Sequence, residues 1–271
     1  MPFKGTAMNN NDKIYLSDLN LAEYTREMTR WNVLGKIVEQ DDLLLTLGTL
    51  NFPMTRVAMC LHDKDDRSGE DTFDRIRSYY SGEKSSFSIH LRKHTDTGME
   101  KVCKKENLIQ IGDAPGMVVD RPLPGKVSLA GMEIRHVTDV AGVVDFAFVT
   151  RESYQSLGLP VYVSEQIFAN SERLLRPYND WVVAYDSGRP VSAAMTLLSH
   201  GVAGLYWVGT IEHNRGKGLA EACVREATND AFRRGASLVV LQASKFGAPL
   251  YKRMGFEEVT RYPWYFYFKP S

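Results

Sequence analysis

The sequence has few cysteines and histidines, the residues that would identify a disulfide-rich or metal-binding protein. It has three cysteines, Cys60, Cys103 and Cys223, an odd number without a C-x-x-C spacing. This pattern argues against a disulfide framework and a zinc site, and it favours buried thiols in a reducing cytoplasm. The six histidines show no HExxH or other paired spacing, so we predict no metal site.

The sequence also has no excess of charge of either sign. There are 33 basic and 33 acidic residues, which gives a formal net charge of zero, so the total draws the protein to neither nucleic acid nor an anionic membrane. The opening "MPFKGTAMNNND" has no apolar core for a signal peptide, and no run approaches the roughly 20 apolar residues of a membrane span. We expect a cytoplasmic protein without a nucleic-acid or membrane partner.

Helix and strand patterns lie on both sides of a proline-rich junction. "RPLPGK", with Pro122, Pro124 and Gly125, predicts a boundary between residues 1–125 and 126–271. Before it, the patterns run helix, strands, helix, strand, helix, strand, starting with a helix over 18–32. After it we predict a strand at 132–137, helices over 139–150 and 161–174, and a hairpin in 181–198. "VAGLYWVGTI" and "SLVVLQA" are predicted strands of a mixed α/β sheet.

An unusual turn lies between these two strands. "HNRGKGLAEACVREATNDAFRRG" places Arg215, Gly216, Lys217 and Gly218 where an amphipathic helix should begin. Backbone N–H groups at such a start have no partner within the helix, and the helix dipole favours an anion there. The glycines allow close approach and the cations add charge, so the turn predicts a phosphate or pyrophosphate site.

Two common nucleotide motifs do not fit this turn. A Walker A loop needs a glycine where Ile211 stands and a serine or threonine where Gly218 stands. A Rossmann fingerprint needs its third glycine at Glu221 and a strand that opens a βαβ unit.

The pattern R-x-x-G-x-A from Arg215 to Ala220 resembles the coenzyme A pyrophosphate loop of the GNAT superfamily of N-acetyltransferases. About 35 residues later, "LQASKFGAPLYKRMGF" resembles the second signature of that family, with Leu250-Tyr251 and Gly255-Phe256 at the matching places. The resemblance covers roughly residues 131–268. It implies an α/β (α+β) GNAT fold, with a mixed central sheet flanked by helices, and acetyl-CoA as the acyl donor.

The resemblance also assigns cofactor contacts. Backbone N–H groups from Gly216 to Ala220 are expected to hold the pyrophosphate, with Arg215 framing the loop. Pantetheine is expected between diverging strands, 205–210 and 237–243, with main-chain contacts to the first. The expected cofactor-binding residues are Val208, Gly209, Thr210, Arg215, Gly216, Lys217, Gly218, Leu219, Ala220, Ser244 and Tyr251.

Catalysis is predicted for Tyr251, since a tyrosine at this place in the family stands near the thioester sulfur and its phenol can protonate the leaving thiolate. A core aromatic is the alternative. Ser244 could bond the cofactor or a water, or cap the following helix. The position that matches the glutamate base of many relatives is Gly204. The remaining candidates for a base are Glu212, His213, Tyr206 and His200.

The acceptor groove implied by the resemblance is lined by the connection between the first two helices and by the C-terminal hairpin. The residues expected to contact the acceptor are Tyr154, Tyr162, Tyr206 and Trp264, with Arg261 and Tyr262 nearby. These aromatics would suit a small amine, whereas core and edge-strand packing is the alternative for those of "WYFYF".

The first half repeats the helix, strand, helix, strand order without an R-x-x-G-x-G/A loop, and Asn107-Leu108 stands where Gly-Phe would be. It resembles a degenerate GNAT-like module, and an unrelated α/β domain for docking or for forming a homodimer is the alternative.

Taken together, these patterns predict an N-acetyltransferase that moves acetyl directly from acetyl-CoA to a small-molecule amine. Two other functions stay open: a non-catalytic acyl-CoA-binding or regulatory protein, and a two-module transferase that uses aminoacyl-tRNA.

Overall fold

The computed structural model describes residues 8–40, 42–61, 68–82, 85–125 and 131–268. Eight α-helices and eleven strands alternate along these parts of the chain. The helices are α1 (Asn10–Arg30), α2 (Gly69–Gly82), α3 (Thr97–Lys105), α4 (Val140–Gln155), α5 (Val161–Ile167), α6 (Ser171–Leu174), α7 (Leu219–Arg233) and α8 (Ala248–Arg253). The strands are β1 (Lys36–Gln40), β2 (Leu43–Leu47), β3 (Val57–Cys60), β4 (Phe87–His90), β5 (Ile109–Val119), β6 (Met132–His136), β7 (Asn179–Asp186), β8 (Arg189–Ser199), β9 (Val202–Thr210), β10 (Val239–Gln242) and β11 (Glu257–Tyr267).

All eleven strands form one sheet in the order β1-β2-β3-β4-β11-β5-β10-β9-β8-β7-β6. Counted outwards from the central antiparallel pair β5–β11, four strands on each side correspond, and β6 is an additional edge strand of the second half. On either side of this pair, β4 and β10 are antiparallel to their inner neighbour and parallel to their outer one, β3 or β9. The two halves are therefore related by a pseudo-twofold axis through the centre of the sheet. The predicted mixed sheet flanked by helices is confirmed.

The ends of α3 and α8 support this internal repeat. Asn107 has φ +57° and Gly255 has φ +97°, so both take the left-handed conformation that closes a helix. The next residue of each half then bonds back to its helix in the same way: Leu108 N–H donates to Cys103 O at 2.9 Å, and Phe256 N–H to Tyr251 O at 3.0 Å. Asparagine tolerates this conformation better than most residues, which explains how the first half keeps the turn without glycine.

The two halves exchange strands at the centre. β5 belongs to the first half but lies between β10 and β11, and β11 belongs to the second half but completes the sheet beside β4. The boundary predicted between residues 125 and 126 stays a prediction. Pro122, Pro124 and Gly125 lie after β5, and residues 126–130 lie outside the described residues.

Helices cover both faces of the sheet. The face that carries Tyr265 and Met117 packs against α2 and α3 in the first half and against α7 and α8 in the second. The other face packs against α4 to α6 and against α1. Helix α1 begins with a capping box of Asn9 and Asp12 and then crosses from β10 over β9 and β8 towards β7. Leu21 and Ala22 of α1 also pack on Leu44 of β2 and Met59 of β3, so the first helix of the chain covers parts of both halves of the sheet.

Some element boundaries differ from the sequence patterns. Helix α1 starts eight residues before Asp18, and the patterns missed this start because residues 10–13 are all polar. Strand β1 was missed; it is an exposed edge strand with the sequence KIVEQ. The predicted helix over 161–174 is two short helices, α5 and α6, separated at Asn170. Among the described residues, no helix combines the length and apolarity needed to cross a bilayer.

Candidate functional site

A gap opens in the sheet between the parallel strands β9 and β10. They pair at only two positions, Val239 with Ala203 and Val240 with Gly204. Beyond these pairs β10 remains hydrogen-bonded to β5 only, and β9 remains paired with β8 as far as Thr210. The predicted divergence of residues 205–210 from 237–243 is therefore confirmed, and the backbone edges that face the gap are free of strand partners there.

Strand β9 is irregular beside this gap. Between the pairs Met195–Tyr206 and Ala193–Gly209, β8 advances by two residues and β9 by three. The extra residue is a β-bulge, and Trp207 takes φ +51° there. A bulge re-aims the backbone groups of its strand, and positive φ at a tryptophan is strained. This makes the bulge a candidate position for contacts to a ligand in the gap.

The glycine-rich turn leads from β9 to α7 at the mouth of the gap. Gly216 has φ +75° and Gly218, the N-cap, has φ +78°. No side chain among the described residues caps α7, so the N–H groups of its first turn are available to an anion. A Cβ at Gly216 would meet open space. These features fit a pyrophosphate bound by main chain.

Two cations belong to this turn, and they differ in their contacts. The Arg215 guanidinium donates to Thr210 O at 3.2 Å and to Ser153 O at 3.2 Å, and its Nη2 also lies 2.5 Å from Ser156 Oγ. It therefore ties the turn to β9 and to the C-terminal end of α4. Lys217 is exposed and has no ion-pair partner in the described parts of the chain. Its ammonium group is thus available to a ligand.

The predicted proton donor, Tyr251, lies in α8 and is 7% exposed. Burial, and next the neighbouring Tyr154, raise the pKa of its phenol above the usual value. The hydroxyl therefore stays protonated at physiological pH and can donate. Gly247 makes room for the ring, because a Cβ there would lie 2.8 Å from Tyr251 Cε2. The Tyr154 hydroxyl donates to Val208 O at 3.3 Å, so α4, β9 and α8 meet here.

Two other predicted catalytic residues are exposed. Ser244 Oγ accepts the N–H of Gly247 at 3.1 Å in the turn before α8, whose N-cap is Gly247 and which has no side-chain cap among the described residues. Its hydroxyl can still donate to a ligand. Glu212 lies with its neighbour His213 on a 3₁₀ turn, Glu212–Asn214, that follows β9. Their roles in catalysis stay predictions.

Gly204, at the position of the family glutamate, is covered by α1. A Cβ on Gly204 would lie 1.9 Å from Asn20 Oδ1 and 2.7 Å from the Tyr206 hydroxyl. That hydroxyl donates to Asn20 Oδ1 at 2.7 Å, and the Asn20 amide donates to Leu197 O at 3.1 Å. The absence of a side chain at residue 204 thus lets a helix of the first half dock on β9.

Replacing Gly204 with alanine tests this docking. The added Cβ must displace Asn20, so we expect Gly204→Ala to lower the free energy of unfolding by about 2 kcal/mol. Gly112→Ala is the control, since Gly112 also lies in a strand and a Cβ there meets nothing within 4 Å. Urea unfolding would measure both variants, and equal midpoints would contradict the close contact.

The four residues predicted to contact the acceptor do not contact one another directly; each packs against other aromatic side chains. Tyr206 stacks on Tyr24 of α1 with ring centroids 3.7 Å apart, and Tyr154 packs on Trp207 at 5.1 Å. Tyr162 and Trp264 lie farther along the same face and are joined through Phe52 and Phe266, at successive ring distances of 6.5, 6.2 and 5.1 Å.

The sequence patterns missed Asn20, Tyr24 and Phe52, because these come from the first half of the chain. They also missed Gln242, the last residue of β10, whose Nε2 is buried with no hydrogen-bond partner among the described residues. A polar residue that ends the apolar run "VVLQ" was the available signal.

A histidine-carboxylate group lies at β6, β7 and α7. Ligand atoms of His136, Asp180 and Asp230 fall within 4.8 Å of one another. The hydrogen bond to Asp180 raises the pKa of His136 to about 9, so the imidazole is charged near neutral pH. A protonated imidazole repels a cation, and we interpret this group as an ion-pair network.

Comparison with known proteins finds one family model that matches part of the second half. Residues 177–258 match the family model described as "Acetyltransferase (GNAT) domain". A GCN5-related N-acetyltransferase from Kribbella flavida superposes with a TM-score of 0.72 at 19% identity, covering 94% of this chain and 96% of that one.

Two further solved structures match over nearly the whole chain. A GCN5-related N-acetyltransferase from Sphaerobacter thermophilus gives a TM-score of 0.61 at 18% identity, with coverage of 98% and 95%. A tandem GNAT protein from the clavulanic acid biosynthesis pathway gives 0.61 at 11% identity, with coverage of 97% and 98%. No curated protein sequence matches the chain.

Proposed function

Since residues 177–258 carry an acetyltransferase domain of the GNAT family, we propose that the protein transfers acetyl from acetyl-CoA directly to a small-molecule amine. One observation carries this proposal: the uncapped start of α7, with two left-handed glycines, lies at the end of a strand that has separated from its parallel neighbour. An anion site next to a gap in a sheet suits a long ligand with one charged end.

Acetyl-CoA supplies an activated acetyl thioester. The first-turn N–H groups of α7 and Lys217 hold the pyrophosphate, and the free backbone edge of β9 holds the pantetheine arm. Backbone N–H groups near the bulge at Trp207 polarise the thioester carbonyl. Arg215 keeps the turn in position through its bonds to β9 and α4.

The transfer needs one bond to form and one to break. The amine nitrogen, as a free base, attacks the carbonyl carbon; the new C–N bond forms and the C–S bond breaks. The Tyr251 hydroxyl hydrogen-bonds the departing sulfur and protonates the thiolate; the surplus proton of the amine leaves to solvent, and solvent returns a proton to the Tyr251 phenolate. Holding both reactants side by side supplies much of the rate.

The structure gives one argument for the non-catalytic alternative. At Gly204, where the family resemblance implies a glutamate base, the neighbouring groups are Asn20 and the Tyr206 hydroxyl. Burial raises the pKa of Tyr206, so this phenol is a poor base. An acyl-CoA-binding protein would need no base at this position.

Release of free thiol from acetyl-CoA tests the proposal. We expect an amine-dependent release of coenzyme A, detected with a thiol reagent, for one or more members of a panel of polyamines, amino acids, arylamines and aminoglycosides. Gly218→Glu should abolish the signal. Tight acetyl-CoA binding without thiol release from any of these amines would favour the non-catalytic protein.

A further inference from the structure

Strand β6 forms the outer edge of the sheet in the second half, and it has no counterpart in the first half. It pairs with β7 along its inner side. No residue that the structure describes pairs with its outer side. A row of unpaired N–H and C=O groups at a sheet edge is a template for a further strand. The edge of β6 is therefore a place where this sheet can be extended.

The pairing with β7 fixes which backbone groups of β6 face outwards. Val137, the residue after β6, donates its N–H to Trp181 O at 2.8 Å. In an antiparallel pair, such hydrogen-bonded positions alternate with positions whose groups point away from the partner. The register of β6 and β7 is regular, so the outward-facing positions are every second residue before Val137: His136, Ile134 and Met132.

The charges of β6 are complementary to those of a second copy of the same strand. When two identical strands pair antiparallel, opposed residues have the same backbone orientation, so the twofold axis passes through a residue. An axis at Ile134 places Glu133 of each copy opposite Arg135 of the other. An axis at Glu133 or at Arg135 instead places like charges opposite each other, which is destabilising. The charge pattern thus selects the register in which the two strands overlap completely.

Glu133 and Arg135 are accessible to such a partner. The two side chains are 59% and 52% exposed and lie 2.5 Å apart along the strand. An exposed ion pair of this kind contributes little to the stability of one chain. The Arg135 guanidinium also lies over the ring of Tyr185, 4.5 Å from its centroid, which holds it on the face of the sheet that α4 covers.

Helix α4 adds an exposed apolar row beside this edge. Its Asp145 accepts the hydroxyl of Tyr185 in β7 at 2.8 Å, so the helix lies close to β6. Val140, Val144 and Phe148 follow one another at intervals of four residues and are 41%, 55% and 40% exposed. Contiguous exposed apolar side chains are typical of an interaction surface.

The opposite edge strand, β1, lacks this self-complementary pattern. With an axis at its central residue, Val38, Lys36 would lie opposite Gln40, so no opposite charges would meet. Glu39 is in addition bonded to Arg26 of α1 at 2.7 Å. The two edges of the sheet therefore differ in what they can bind.

We propose that two copies of this chain join through their β6 strands, antiparallel and centred on Ile134, into one continuous sheet. The outward backbone groups from Met132 to His136 then all have partners. Glu133 meets Arg135 of the other copy on the face of α4, and the two Ile134 side chains meet on the face of α7. The proposed cofactor gap lies beyond β7 and β8, so the contact does not cover it and is independent of the proposed acetyl transfer.

Sedimentation velocity from about 1 to 200 μM tests the proposal, and we expect the wild type to be dimeric within this range. Glu133→Arg places arginines opposite each other on both sides of the axis, so it should weaken the dimer at least about tenfold. Arg135→Glu should do the same, and both substitutions together should restore the affinity to within about threefold. Glu257→Arg, exposed in β11, makes the same change of charge and is the matched control.

Amide hydrogen exchange gives a second readout of the same contact. On dimerisation the outward N–H groups of Ile134 and His136 should become protected, whereas those of Glu133 and Arg135, which face β7, should exchange as before. Ile134 is thus the residue whose exchange depends most directly on the second copy.

A wild type that stays monomeric, or a double variant that fails to dimerise while remaining folded, would overturn the proposal. Should the variants unfold, unchanged exchange at Ile134 in the wild-type dimer would overturn it instead. Glu133→Arg should bind acetyl-CoA as the wild type does, so loss of this contact is distinguishable from failure of the proposed transfer.

Discussion

Gly218→Glu should lose acetyl-CoA binding by at least about 30-fold, or about 2 kcal/mol. The new carboxylate would stand at the positive end of α7, where the pyrophosphate is proposed to bind, and would repel it. The substitution also forces a residue with a Cβ into φ +78°, a conformation that costs roughly 1 kcal/mol outside glycine. Calorimetric titration with acetyl-CoA would measure the loss.

The other end of the same helix offers a matched control. Gly235 also has a left-handed backbone, with φ +92°, and a Cβ there meets nothing within 4 Å. Gly235→Glu therefore introduces the same charge and a similar strain, but at the negative end of α7. We expect its acetyl-CoA affinity to match that of the wild type. Similar losses in both variants would remove the turn at Gly218 from the proposed binding site.

Tyr251→Phe should lower kcat about 100-fold while the dissociation constant of acetyl-CoA changes little. The substitution removes only the hydroxyl, and no described residue hydrogen-bonds it, so the fold loses no contact. Steady-state kinetics with a productive amine, together with calorimetry, would separate the two effects. Tyr185→Phe is the control, because that hydroxyl bonds Asp145 on α4, away from the gap. Unchanged turnover in Tyr251→Phe would leave this residue as a packing aromatic.

The elements that carry the proposed cofactor site could be predicted from local sequence. The apolar runs of β9 and β10 and the 3.6-residue stripe of α7 are each contained in one short segment. The turn between them contains two glycines, the residue type that adopts a left-handed backbone most readily. Helix α2 was predicted with its observed limits, Gly69–Gly82, since glycines lie at both ends and Glu70 and Asp71 at its start.

The contacts of the residues proposed for the acceptor groove could not be predicted, because their partners are distant in sequence. The side chains of Asn20 and Tyr206 are bonded although they lie 186 positions apart, and the periodicity of α1 does not show that this helix also covers strands of the second half. Gly204 likewise looks like a missing catalytic group in the sequence, whereas in the fold it is the surface on which α1 docks. Strand β1 was not predicted, because an exposed edge strand does not require the alternating apolar pattern by which strands are recognised.

The exchange of β5 and β11 at the centre of the sheet has a consequence for how the chain is made. The first half has its own helices and five strands, β1 to β5, yet the inner neighbour of β4 is β11, the last strand of the second half to leave the ribosome. Until then β4 has an open hydrogen-bonding edge. Such distant pairing slows folding, so the nascent chain passes through a period in which aggregation competes with completion of the sheet.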